Sequence, residues 1–69
     1  MNIDVLVRMA NQIAAFFASE PEAETAVAGI ANHLQRFWDP RMRQALRAHV
    51  QAGGAGLSES VRQAALRLH

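Results

Sequence analysis

A chain of 69 residues with a formal charge of +1 and no cysteine is expected to be one domain at most, with no disulfide, thiolate metal site or iron–sulfur cluster held by itself. Hydrophobic residues make up 51%, yet fourteen of them are alanine. About twenty large side chains, each contributing roughly 1.5–3 kcal/mol when fully buried, therefore stand against about 1–2 kcal/mol of backbone entropy per ordered residue.

The first residues, "MNIDVLVRMA", carry Asp4 and lack a basic start followed by an uninterrupted apolar run, so no signal peptide is expected. No stretch approaches the roughly 18 apolar residues of a membrane span, and the expected location is the cytoplasm. Helix one is predicted over about residues 3–18, where Leu6, Met9, Ile13, Phe16 and Phe17 recur as one stripe at about 100° per residue. The segment "ASEPEAE" marks its end. There Ser19 can cap the next helix, Pro21 sits where a missing N–H is harmless, and Glu22 completes a capping box.

Helix two is thus predicted over about 20–38. Its stripe is Ala23, Val27, Ile30, Leu34, Phe37 and Trp38, and Ala26, Gly29 and Ala31 beside it are small enough for close approach of another helix. Pro40 lacks an N–H and pushes Asp39 out of the helical region, which stops helix two near Trp38. Asp39 can then cap a third helix, about 40–52, that begins on Pro40, carries Met42, Leu46 and Val50 on its apolar edge and leaves through Gly53–Gly54. Ser58 reads as the cap of a fourth, about 58–68, with Leu57, Val61, Ala65 and Leu68 as its apolar side. That helix is too short to be stable without a surface to dock on. The expected fold class is all-α: a single domain over 1–69, a small bundle of three to four short helices with a sharp Asp–Pro corner between helices two and three.

The corner, "HLQRFWDPRMRQAL" from residue 33 to residue 46, crowds an aromatic pair, an acid, a proline and three arginines together. Consecutive helical side chains diverge by about 100°, so Phe16–Phe17 and Phe37–Trp38 straddle their stripes, and one member of each pair can enter the core while the other sits at its edge. The shortage of large residues favours all four in the core; the alternative makes Trp38 or Phe16 an anchor for another subunit, since aromatic and arginine side chains are enriched at binding hot spots. Arg43 and Arg47 share a face of helix three, Arg41 points away from them, and Asp39 is within reach of an ion pair with Arg43.

All seven basic residues are arginine and six acids nearly balance them, so the charge that phosphate binding requires is missing and a helix-turn-helix reading of the corner is weak. Arginine in place of lysine suits planar, partly desolvated contacts with carboxylates on protein surfaces. His33, His49 and His69 lie on different elements without the i, i+4 spacing of a helical zinc pair, and neither a nucleophile elbow nor a phosphate-binding loop is present. Asn11 and Gln12 stand among strong helix formers on helix one. Solvation explains them; hydrogen bonding to a partner's backbone is the alternative.

Three blocks in order, "LVRMANQIAAFF", "IANHLQRFWDPRMRQAL" and "GGAGL", resemble the delta subunit of NAD-dependent, molybdenum-type formate dehydrogenases, over about residues 5–68. The resemblance implies an accessory subunit of an enzyme that oxidises formate to carbon dioxide and passes electrons to NAD, with the molybdenum–pterin cofactor, iron–sulfur clusters and flavin on larger subunits. It implies no catalytic, cofactor-binding or metal-binding residue in this chain and no cofactor of its own. The expected partner is the large catalytic, molybdenum-containing subunit; neither nucleic acid nor membrane is expected, and pairing with a second copy is possible in isolation. The residues expected at the partner interface are Asn11, Gln12, Phe16, His33, Arg36, Trp38, Arg41 and Arg43. Phe37, Asp39, Pro40 and Met42 are expected to form the structural corner that aims them. A free-standing helical regulator or nucleic-acid adaptor is the alternative of a different class.

Overall fold

The structure, a computed structural model, describes residues 1–69. It holds four helices and no strand: α1 (Ile3–Phe16), α2 (Ala23–Phe37), α3 (Pro40–Gln51) and α4 (Glu59–Ala65). Each helix start but one follows a local rule. Asn2 accepts from the Asp4 N–H at 2.9 Å, Asp39 accepts from the Met42 N–H at 3.0 Å, and the Ser58 hydroxyl accepts from the Val61 N–H at 3.4 Å. These side chains satisfy donors that the first turn of a helix leaves without a partner.

The exception is α2. Its N-cap is Glu22, which makes no side-chain cap hydrogen bond, so the predicted capping box of Ser19 and Glu22 does not form and the helix starts three residues later than predicted. The residue before a proline is held out of the helical region. Ser19 to Glu22 accordingly lie outside both helices, and the chain turns over Phe17 to Glu20, where the Glu20 N–H donates to the Phe17 carbonyl at 3.1 Å. At its other end α1 stops at Phe16 rather than at 18, and α4 spans Glu59–Ala65 rather than 58–68.

The exit from α3 through Gly53–Gly54 is as predicted, and its geometry shows why glycine is needed. The Gly54 N–H donates to the His49 carbonyl at 2.8 Å and the Gly53 N–H to the Val50 carbonyl at 3.0 Å, the paired bonds of a Schellman motif. Both glycines have positive φ, +120° and +66°, where a Cβ would be strained.

Thirteen buried hydrophobic residues form one core cluster. Ile30 and Leu34 from α2, Leu46 from α3 and Val61 from α4 are its fully buried large side chains. The α2–α4 contact is the most extensive in the molecule, because Val61, Ala64 and Ala65 present a smooth face that α2 can approach closely. Leu57 and Leu68 flank α4 and are buried with it, so the short helix finds the surface it lacks in isolation.

The helix-one stripe divides. Leu6, Ala10 and Ala14 are buried and Ile13 and Phe17 pack on the core, whereas Met9 and Phe16 face outward. Phe17 lies over Gly29: a Cβ at that glycine would sit 2.5 Å from the Phe17 Cε1. The small residue at 29 therefore admits an aromatic ring from α1.

Candidate protein-docking site

The corner between α2 and α3 is real, and its construction decides which of the crowded side chains are available. Trp38 has left the helix, with ψ 138°, and Asp39 is extended with ψ 167°. The Trp38 side chain turns into the core and is 5% exposed, while Phe37, the last helical residue, is 67% exposed. The expectation that all four aromatics are core is thereby corrected, and so is the placement of Trp38 at an accessible edge and of Phe37 inside the corner. Phe37 instead packs outside against the His33 ring, at a centroid distance of 4.9 Å, with the Arg36 guanidinium carbon 5.5 Å from its centroid.

Breaking a helix leaves its last carbonyls without N–H partners. Arg43 supplies them. Its Nη1 donates to the Trp38 carbonyl and, at 3.4 Å, to the Gln35 carbonyl, and its Nε donates to the His69 carbonyl at 3.2 Å. The predicted ion pair with Asp39 does not form, since Asp39 is occupied with the Met42 N–H. Arg43 is thus part of the corner itself, held by the chain's own carbonyls. Met42 packs on the core beneath it, and Pro40 occupies the first position of α3. Arg36 and Arg41 remain exposed.

Asn11 is also turned inward. Its Nδ2 donates to the Gly56 carbonyl at 2.8 Å, and its Oδ1 accepts from the Ser58 N–H at 3.0 Å. The backbone it recognises is the chain's own loop, which the sequence alternatives of solvation and partner contact both missed. Gln35 does the same for the last residue, donating to the His69 carbonyl at 2.9 Å and accepting from the His69 N–H at 3.0 Å. A third tether joins Arg67 to Glu24 at 2.7 Å. That hydrogen bond, with a smaller contribution from the opposite charge, holds the Glu24 carboxyl below its ordinary value and raises that of Arg67.

The outward side of α1 carries Asp4, Arg8 and Ala15 and, beside them, a row of Val5, Met9, Gln12 and Phe16, preceded by Met1. Their spacing of four, three and four residues places them on one side of a helix. Phe16 is 80% exposed and Met1 71%. Sequence reasoning singled out Gln12 and Phe16 of this row and overlooked Met1, Val5 and Met9. A signal was present: the apolar sector of helix one, from Val5 round to Val7, covers roughly 200°, about twice the width that packing on one core requires. Of the residues expected at an interface, Gln12, Phe16, Arg36 and Arg41 are exposed and His33 is half-buried beside Phe37; Asn11, Trp38 and Arg43 are committed to the fold.

No three His, Asp or Glu side chains converge to hold a metal ion, and no helix is long and apolar enough to cross a membrane. The exposed surface offers apolar and aromatic groups bordered by arginines, which is the chemistry of contact with another protein. Comparison with known proteins agrees with that character. No curated relative and no solved structure matches the chain. The family model of the NADH-dependent formate dehydrogenase delta subunit, FdsD, matches residues 5–65, a span that takes in α1 from Val5 onward, the corner and α4, and the chain therefore belongs to this family, as a delta subunit of a formate dehydrogenase complex.

Proposed function

We propose that this chain is a non-catalytic accessory subunit that docks on the large, molybdenum-containing catalytic subunit of formate dehydrogenase and supports its assembly, stability or activity in the cytoplasm. The observation that carries the reading is Val5, Met9 and Phe16, in a row with the polar Gln12 on α1, together with Phe37 at the end of α2: large apolar side chains left outside a core of thirteen residues. Leaving Phe16 and Phe37 in water forfeits roughly 1.5–3 kcal/mol each, a large loss for so small a chain, and a covering protein restores it. A standard interface engages about 20–30 residues per side, a third or more of this molecule. The corner contributes shape. Asp39, Pro40 and Arg43 fix the direction of α3, and Gln12, His33, Arg36, Phe37 and Arg41 are the polar and aromatic contacts we assign to the partner.

The test is co-purification of the tagged chain with the catalytic subunit from cells expressing the whole complex, compared with a Met9→Asp/Phe16→Asp variant. Retention of the wild type and loss of the variant, with the variant still folded by circular dichroism, is expected. Association only with cofactor-free enzyme would assign the chain to maturation; association with mature enzyme makes it a standing component. A wild-type chain that binds neither form refutes the reading. In isolation the same row would pair with a second copy, so oligomeric state is measured beside it.

A further inference from the structure

Where α1 ends, the chain leaves an open groove of about 420 Å³ between the α1–α2 turn, the first turn of α2 and the start of α4. Its floor is apolar: Ala14, Phe17 and Val27. The alanines around them are too small to fill the space, and the Phe17 ring also lies over Gly29.

The rim carries the opposite character. Glu20 and Glu59 line it; the Glu20 side chain has neither an ion pair nor a hydrogen bond, while the exposed Glu59 has partners only on its own helix, the Gln63 amide donating to its Oε2 at 3.2 Å and Arg62 approaching its Oε1 at 3.7 Å. Glu22 stands unpaired in the same turn. Of the chain's six acids, four (Glu20, Glu22, Glu24 and Glu59) gather at this end. Arg36, Arg41, Arg43 and Arg47 lie at or beyond the far end of α2, a helix about 22 Å long. Separation by more than a Debye length of about 8 Å removes those arginines from the balance here; of the nearer ones Arg67 pairs with Glu24 and Arg62 approaches Glu59, which leaves Glu20 and Glu22 as the uncompensated acids. The groove is also continuous with the apolar row on α1, because the exposed Phe16 ring meets the Phe17 ring of the floor edge-on at 5.3 Å.

Apolar floor, acidic rim and continuity with a longer apolar surface together define one kind of occupant. We propose that this groove receives a segment of the partner protein that inserts an apolar side chain onto Phe17 and Val27 and sets an adjacent arginine or lysine against Glu20 and Glu59. The inference rests on the accessory-subunit reading and deepens it by naming the chemistry of the contact. A basic residue beside an apolar anchor complements the rim, whereas an acidic segment is repelled from it.

The experiment uses the intact complex. A photo-reactive benzoylphenylalanine placed at position 18, on the groove wall, is irradiated in the co-purified complex and the captured peptide identified; affinity is measured in parallel for the wild type, Glu20→Gln and Glu20→Arg. The Glu20 side chain is exposed and makes no hydrogen bond or ion pair, so these variants test the rim and keep the bond from the Glu20 N–H to the Phe17 carbonyl in place. The expected result is a captured partner peptide with an apolar residue next to arginine or lysine. Affinity should fall about five- to tenfold for Glu20→Arg and less for Glu20→Gln, with both effects shrinking at high salt. Capture of a peptide without a basic residue, capture of a second copy of this chain, no capture, or unchanged affinity for Glu20→Arg overturns the groove assignment while co-purification of the wild type keeps the accessory role. Failure of the wild type itself to co-purify overturns both.

Discussion

Replacing Asn11 with alanine tests whether this side chain serves the fold or a partner. Its amide closes two hydrogen bonds on the loop between α3 and α4, one from Nδ2 to the Gly56 carbonyl at 2.8 Å and one to Oδ1 from the partly buried Ser58 N–H at 3.0 Å. A net worth of about 0.5–1.5 kcal/mol for each such bond gives a loss of about 1–3 kcal/mol. In a domain of this size 1 kcal/mol moves the melting temperature by about 4–8 °C, so a central loss of about 2 kcal/mol lowers it by about 8–16 °C. The loop also seats Leu57 in the core and delivers Ser58 to cap α4. Hydrogen exchange at the Ser58 amide should therefore accelerate more than exchange in the middle of α2. Asn11→Asp keeps the acceptor for Ser58 but loses the donor and sets a negative charge against the Gly56 carbonyl; it should be destabilised as well. Gln12, the exposed neighbour, should melt within about 0.5 kcal/mol of wild type as alanine. A thermal melt of Asn11→Ala within about 2 °C of wild type would refute the structural role assigned to this residue.

The adjacent aromatics at the corner should separate cleanly. Trp38→Ala empties a core site and should cost about 3–5 kcal/mol, enough to abolish the cooperative melt. Phe37→Ala should leave the melt nearly unchanged and weaken retention by the formate dehydrogenase complex. Gly29→Ala would bring a methyl group within 2.5 Å of the Phe17 ring; the ring must lift, at about 1–3 kcal/mol, and Phe17→Leu in the same chain should recover part of that loss. The Glu24–Arg67 tether makes a pH prediction. Glu24 titrates below its ordinary value in the folded chain, so its contribution is fully present above the unfolded-state pKa of about 4.3 and fades as pH falls through the lower folded value. Wild type should melt above Glu24→Gln near about pH 7, and the two should converge by about pH 2–3; a gap that stays constant with pH contradicts the assignment.

The amino-acid sequence by itself determined the features that a short stretch of backbone decides alone. Asp39 and Pro40 stop one helix and start another, Gly53–Gly54 close α3, and Ser58 opens α4, because each acts on N–H and C=O groups within a few residues of itself. The all-α class and the family resemblance were legible for the same reason: the blocks that carry them are contiguous. The capping box at Ser19–Glu22 was local too, and still failed, since Pro21 keeps Glu20 out of the helical region and the helix opens only at Ala23. Only the tertiary structure decided between Phe37 and Trp38. On a helical wheel both lie about 50° from the centre of the α2 stripe, on opposite sides, and periodicity cannot rank them; the break at Trp38 takes its side chain off the wheel and aims it inward. The destinations of Asn11, Gln35 and Arg43 were likewise beyond the sequence, because their acceptors include carbonyls of loops and ends brought to them by packing. Hydrogen bonds to distant backbone have no spacing rule to read, so which polar residues face a partner becomes visible only after the fold has claimed its own.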